Sequence, residues 1–269
     1  MSDRQRVNKT HAVVLRRRDF GDADRILVVY TPSLGKQELI AHGVRKTTSR
    51  KAGHLETFSH ASLLVAEGRT WGIVTEATTV ESYRRLREDL DQIGRASYIC
   101  ELVDRFTEID DENREVWDLL TGTLRMLDEL GATAMYDPYL LLRWFELHLL
   151  AYVGFQPQLF QCLQCGKDIE PVDNYFHLQG GVYCPECGQH MPDAELIPLD
   201  MLKVLRHLQR SRWEEVAHLS VPEDVMGRVD NLLNRYLVGV LERRLTSADF
   251  LRRLRSLPAV ASAGPRPAE

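Results

Sequence analysis

Hydrophobic positions along the chain change their spacing near residue 84. Before it they fall in short β-branched runs: "HAVVLRRR", "DRILVVYT", "QELIAHGV", "SHASLLVAEG" and "WGIVTEATTVESY". The first two are bounded by "DFGDAD" and "TPSLGK", segments rich in turn formers. Five such strands in succession predict a small closed barrel, and the five-stranded OB-fold is the simplest architecture of that kind.

After residue 84 the spacing becomes helical. Ile99, Leu102, Val103, Phe106 and Ile109 share one face of a first helix, and Val116, Leu119, Leu120, Thr123, Leu124, Leu127 and Leu130 share one face of a second. Asp137-Pro138 predicts a helix start, with a capping residue followed by proline at the first helical position. The helix it opens is apolar on nearly every side, which places it at the centre of a bundle. "SVPE" (Ser220 to Glu223) matches a capping box ahead of a helix with Val225, Val229, Leu232, Leu233, Tyr236, Leu237 and Val240 on one stripe. The closing "PAVASAGPRPAE" is rich in Ala and Pro and predicts a disordered tail. The expected organisation is therefore an α+β multidomain chain. It has a barrel over 1–82, a helical domain over 83–158 and 192–257, a cysteine segment inserted at 159–191, and a tail over 258–269.

Composition changes this picture little; charge changes it more. Of 269 residues 44% are hydrophobic and 27% charged, as in ordinary globular proteins. The most apolar segment, "YLLLRWFELHLLAYVGF", is interrupted by Arg143, Glu146 and His148 and is too short for a membrane span. "MSDRQRVNKTHAVV" has no apolar core of a secretory signal, so a cytoplasmic location is expected, where thiols stay reduced. Net charge is −5, yet residues 1–80 carry 13 Lys/Arg against 8 Asp/Glu while the rest is strongly acidic. Such asymmetry suggests regions with separate partners.

Two stretches offer chemistry. "CLQCGKDIEPVDNYFHLQGGVYCPEC" holds Cys162/Cys165 and Cys184/Cys187, two Cys-x2-Cys pairs at zinc-site spacing. Each places two thiolates on one turn, and four together satisfy one tetrahedral Zn2+. Glycine follows each pair, and "NYFHLQGGVYC" predicts a hairpin turning at Gly180-Gly181. A thioredoxin-like site needs one pair at a βα junction, and catalytic zinc needs an open ligand position, so a single structural Zn2+ is the favoured reading. His177 and His190 are then surplus, and Cys100 is a buried thiol.

The other stretch is "AHGVRKTTSRKAGH", with Arg45, Lys46, Arg50 and Lys51; Arg16, Arg17, Arg18, Arg25 and Lys36 add charge on neighbouring strands. Such a cluster reads equally as a solvated face or as a nucleic-acid surface. Its coincidence with a predicted OB-fold, a barrel that holds single strands in basic grooves, favours the second. Phe20, Tyr30, Phe58 and Trp71 are the candidate stacking aromatics. Asp19, Asp22 and Asp24 read as a polar turn, and the acidic "EIDDENREV" (Glu108 to Val116) as a solvated loop and helix start. No phosphate loop, nucleophile elbow or His-Glu-x-x-His pattern occurs, so no enzymatic activity is expected.

The order of these pieces resembles one known family, the bacterial recombination mediator RecO. "VVLRRRDFGDADRILVVYTPSLGKQELIAHGVRKTTSRKAGHLETFSHASLLV" resembles its N-terminal domain, including a Gly-x-Arg-Lys basic loop at Gly43 to Lys46. "RWFELHLLAYVGFQPQLFQCLQCG" is similar to its central helix and zinc segment, and "GVLERRLTSADFL" to its C-terminal helix ending. The resemblance implies an OB-fold, a helical domain and a zinc ribbon. It also implies a nucleoid-associated repair protein that binds single- and double-stranded DNA and anneals complementary strands. The implied partners are RecR, the C-terminal tail of single-strand-binding protein (SSB) in a pocket of the helical domain, and RecA indirectly. Arg45, Lys46, Arg50 and Lys51 match the family's basic loop. The alternative is an adaptor whose helical domain recruits proteins, with DNA contact incidental.

Overall fold

The computed structural model describes residues 7–133, 136–242, 245–248 and 251. The tail expected over 258–269 lies outside the described residues, as does the side chain of Leu130. Five strands, β1 (Val7–Phe20), β2 (Asp24–Thr31), β3 (Gly35–Ala41), β4 (His60–Ala66) and β5 (Gly72–Glu81), close a barrel in the order β1-β2-β3-β5-β4. All neighbours run antiparallel except β3 and β5, which meet in parallel at Leu39↔Gly72 and Ile40↔Ile73. A Cβ at Gly72 would sit 2.8 Å from Leu39 Cδ2 and Val65 Cγ1, so this close strand approach depends on glycine. The strand set is the expected one and is consistent with an OB-like barrel.

Strands β1 and β2 read as continuous apolar runs because both their faces are covered. Ala12, Val14, Leu27 and Val29 point into the barrel with Leu39, Leu55, Leu63 and Val74. Val13, Leu15, Val28 and Tyr30 face outward into a second core made mostly of helices. The barrel and the helices are thus fused through a shared core.

Helices α1 (Leu90–Phe106), α2 (Arg114–Thr133) and α3 (Pro138–Tyr152) come next. Asp89 caps α1 by accepting from the Asp91 and Gln92 N–H groups, and Asp137 caps α3 ahead of Pro138 as predicted. Helix α3 buries every residue from Leu140 to Leu147, so it is the central helix. The charges that interrupt it turn inward and pair. Arg143 donates to Glu146 at 2.6 Å and to Asp230, and Tyr98 donates to Glu146 at 2.5 Å. Burial pushes the Glu146 carboxyl up to about 7 despite the Arg143 guanidinium and the Tyr98 hydroxyl.

Two helix expectations fail. Ile109 lies beyond the end of α1, is 52% exposed, and bridges to Lys36 instead of continuing the helical face. The acidic segment around it is not a free loop: Asp110 donates its N–H to the Lys36 carbonyl at 3.0 Å, and Gln37 donates to Asp110 at 2.8 Å. Gly35, at φ +60°, lets this loop approach; a Cβ there would lie 1.8 Å from the Asp111 carbonyl oxygen. The loop is therefore the buttress between β3 and the helices.

Beyond α3 lies a three-stranded sheet of order β7-β6-β8, built from β6 (Asn174–His177), β7 (Gly181–Tyr183) and β8 (Glu195–Ile197). The predicted hairpin is β6 and β7; β8 adds a third strand that sequence spacing did not suggest. Helix α4 (Pro185–Gly188) holds Cys187, with Cys184 at its N-cap, and α5 (Leu199–Arg210), α6 (Trp213–Val216) and α7 (Glu223–Leu241) pack around α3. Pro222, not Ser220, stands at the start of α7, and no side chain caps it. Pro222 occupies the N-cap position itself, with ψ 140°, so the capping box expected from Ser220 does not form. Among the described residues no helix is long and apolar enough to cross a membrane.

Candidate nucleic-acid interface and metal centre

The basic segment forms the connection from β3 to β4, and backbone contacts hold it in place. Gly43 takes φ +62°, and its N–H donates to Asp24 Oδ1 at 2.7 Å. His42 Nδ1 lies 2.7 Å from the other Asp24 oxygen, and the Arg45 N–H donates to the Ala23 carbonyl at 2.9 Å. The Gly43 amide and then His42 hold the Asp24 carboxyl below its ordinary value. Further along, the loop is pinned to β5. Lys51 Nζ donates to the Val74 carbonyl at 2.7 Å, and His54 Nδ1 accepts from the Thr79 N–H at 3.2 Å. Asp24, and Asp19 through Arg45, therefore support the loop.

The nine basic residues singled out from sequence divide into three groups. Arg18, Lys46 and Arg50 are exposed, and no carboxylate of the described residues lies within salt-bridge reach of them. Arg16, Arg17, Arg25 and Arg45 are partnered: Arg16 with Asp104 at 2.6 Å, Arg17 with Glu56, Arg25 with Asp19 at 2.9 Å and Glu56 at 3.4 Å, and Arg45 with Asp19 at 3.2 Å. The Arg25 hydrogen bond, with Arg45 nearby, lowers the Asp19 pKa. Surface pairs of this kind are weak and can yield to phosphate.

Lys36 and Lys51 form the third group, in which backbone carbonyls engage the ammonium groups. Lys36, with 12% of its side chain exposed, donates to the Asp104 carbonyl at 2.6 Å and to the Thr107 carbonyl, with the Asp104 carboxylate 3.6 Å away. Its ammonium sits on the last turn of α1, where a cation satisfies free carbonyls and opposes the helix dipole. Lys51 is half-buried on Val74, and burial lowers its pKa. Both ammonium groups therefore brace the fold through backbone carbonyls.

The aromatic candidates divide as well. Tyr30 and Phe58 are buried. Phe20 is 40% exposed and packs edge-on against Trp71 with ring centroids 5.5 Å apart. Phe20 ends β1 next to Gly21, whose carbonyl accepts from Arg45 at 3.3 Å, so this ring pair borders the basic loop. Glu56 is a site residue that sequence reasoning missed. It neutralises Arg17 and Arg25 from 39 and 31 positions away, and no local pattern announces such a pairing.

The four cysteines converge. Their Sγ atoms all lie within 4.8 Å of one another, with Cys165 and Cys184 3.9 Å apart, and none is in a disulfide. A tetrahedron of thiolates at zinc's bond length of about 2.3 Å has edges of about 3.8 Å, so the set can hold a metal ion. Both knuckles close as expected: Gly166 N–H donates to the Cys162 carbonyl at 2.9 Å and Gly188 N–H to the Cys184 carbonyl at 2.8 Å. Burial raises the Cys162 pKa, but N–H groups of the knuckles outweigh it and bring the thiol down to about 6. Gly181, at φ +140°, fits where a Cβ would meet the Gln158 carbonyl oxygen at 2.1 Å. His177 and His190 bond to Gln179 and Gln189, outside the sulfur cluster. Cys100 is buried in the helical core, and burial raises its thiol pKa.

The chain matches two family models over nearly its whole length: Recombination protein O N terminal over residues 4–83, and Recombination protein O C terminal over residues 87–249. It is 40% identical over 260 residues to a DNA repair protein RecO of Roseiflexus sp. (strain RS-1), covering 96% of this chain and 90% of that protein. Proteins of the same description from Symbiobacterium thermophilum and Desulforamulus reducens are 34% and 32% identical over 91% and 93% of this chain, and 96% and 95% of their own lengths.

Proposed function

The chain belongs to the recombination protein O family, and on that premise we propose that it is a non-enzymatic DNA-binding mediator of recombinational repair. In this reading it binds single- and double-stranded DNA, anneals complementary strands and helps a RecA-type recombinase replace SSB. The observation that carries the DNA role is the pinned loop after β3, which presents Lys46 and Arg50 exposed and without a salt-bridge partner among the described residues, like Arg18 on β1. Holding strands by such cations releases their counterions and lowers the repulsion between them. Complementary bases can then meet with no nucleotide hydrolysis.

The rest of the assignment rests on the same premise. Residues 1–82 carry the DNA-binding role, and the helical region over 83–158 and 192–257 meets a RecR-type partner and the SSB tail. The setting is the cytoplasm and its nucleoid. Cys162, Cys165, Cys184 and Cys187 fit one structural Zn2+, because an all-thiolate set leaves no open position for a substrate. Zinc in such a site supplies folding energy.

The test is a salt series of oligonucleotide binding with wild type and the double variant Lys46→Gln, Arg50→Gln. Two lost phosphate contacts lower the slope of log K against log salt by about 1.4 on a single strand and about 1.8 on duplex. A folded variant with wild-type affinity and slope would remove the loop from the interface.

A further inference from the structure

We propose a second nucleic-acid surface, remote from the barrel, on the outer face of α5 where it meets the cysteine segment. It rests on the strand-annealing reading above and adds a seat for the other strand. Lys203, Arg206, His207 and Arg210 recur at helical spacing opposite the buried stripe Met201, Leu202, Leu205 and Leu208. They run about 10 Å along one side of the helix. No described carboxylate forms a salt bridge with any of them, in contrast to the partnered arginines of the barrel. Asp168, the first acid after Phe160, accepts from Gln161 at 3.4 Å and forms no salt bridge with these residues.

The stripe includes an aromatic. The Arg210 guanidinium carbon lies 3.3 Å above the Phe160 ring centroid, and that of Arg206 lies 5.1 Å from it. Arg206 is further fixed by donating to the Leu159 carbonyl at 2.8 Å. Phe160 is held by its own backbone, with its N–H on Gln158 Oε1 at 3.0 Å and its carbonyl accepting from Ile169 at 2.8 Å, two residues ahead of Cys162. A guanidinium already stacked on a ring presents its other flat face and its N–H edge together. A base can stack on the first while a phosphate takes the second. Lys203 and His207 extend the contact along the backbone. This pairing of flat faces with regularly spaced cations favours a single strand over an acidic peptide, which would use the charges but not the stacking plane. Two surfaces on one chain would allow two strands to be held at once.

The experiment uses the full zinc-loaded chain and the double variant Lys203→Gln, Arg210→Gln, beside the Lys46, Arg50 variant. Binding of labelled oligothymidylate is followed across salt, annealing of complementary oligonucleotides is timed, and 5-iodouracil strands are photocrosslinked and mapped. The expected results are a salt slope lower by about 1.4, annealing slowed several-fold, and a wild-type crosslink mapping to the exposed face of α5. If the α5 variant keeps wild-type slope and annealing while the loop variant loses both, this surface is overturned and the barrel reading stands. If it instead loses affinity only for a polyglutamate peptide, the surface is a protein site and the proposal is wrong. If wild type binds no DNA at low salt, both readings fall.

Discussion

Lys36 is the sharpest test of the division between structural and DNA-facing cations. Replacing it with Met keeps the aliphatic stem but deletes the ammonium that donates to the Asp104 and Thr107 carbonyls from a site 12% exposed. Hydrogen bonds from a charged donor are worth about 1.5–3 kcal/mol each. Asp104 keeps Arg16 at 2.6 Å, so its carboxylate is not stranded. The two carbonyls at the end of α1 are stranded, however, and the helix dipole there loses its counter-charge. The expected cost is about 3 kcal/mol, which for a chain of this size lowers the melting temperature by about 6–12 °C. Trp117, buried in the helical core beside His60, reports unfolding by fluorescence. DNA binding measured on the folded protein should keep its wild-type salt slope. A variant with unchanged stability and a slope lower by about 0.7–0.9 would place Lys36 on DNA and refute its role as a strut.

Two further outcomes are expected. Chelating the metal, or replacing Cys162 with Ser, should lower thermal stability and expose the cysteine segment to protease, with recovery on adding Zn2+ to the wild type alone; unchanged melting on chelation would count against a structural ion. His60 is 8% exposed, its Nε2 lies 3.0 Å from His11, and it packs on Trp117 with Glu81 and Arg125 nearby. Burial and then His11 lower its folded pKa, so below about pH 6.5 the unfolded chain takes up a proton that the native state refuses. Its contribution to stability is therefore present above that pH and lost as pH falls through it. His60→Asn should flatten this part of the pH dependence of urea unfolding. Glu146 and His148 titrate in both proteins, so the difference reports the His60–His11 pair; parallel curves would show that protonation of this pair is not linked to folding.

Much of the architecture was readable because its causes are local. Alternation and turn residues mark the five strands, Asp137-Pro138 starts α3 where expected, and two Cys-x2-Cys pairs converge as their spacing requires. Prediction failed where the deciding partner is remote in sequence. Ile109 fits a helical period, yet the loop around it is drawn off to β3 by Gly35 and Lys36. Strand β8 is three residues long, too short for a pattern, and exists because β6 offers it an edge.

The charges show this boundary most clearly. Composition and spacing alone determined that the N-terminal part is basic, that four thiols can share one ion, and that the central helix is buried. They could not tell a lysine facing solvent from one capping a helix, because Lys36, Lys46 and Lys51 look alike along the chain. Only the folded chain brings Asp104 and Thr107 to Lys36, Val74 to Lys51 and Glu56 to Arg17 and Arg25, while leaving Lys46 and Arg50 outside. Charge belongs to the residue, but availability depends on which polar groups the tertiary structure packs around it.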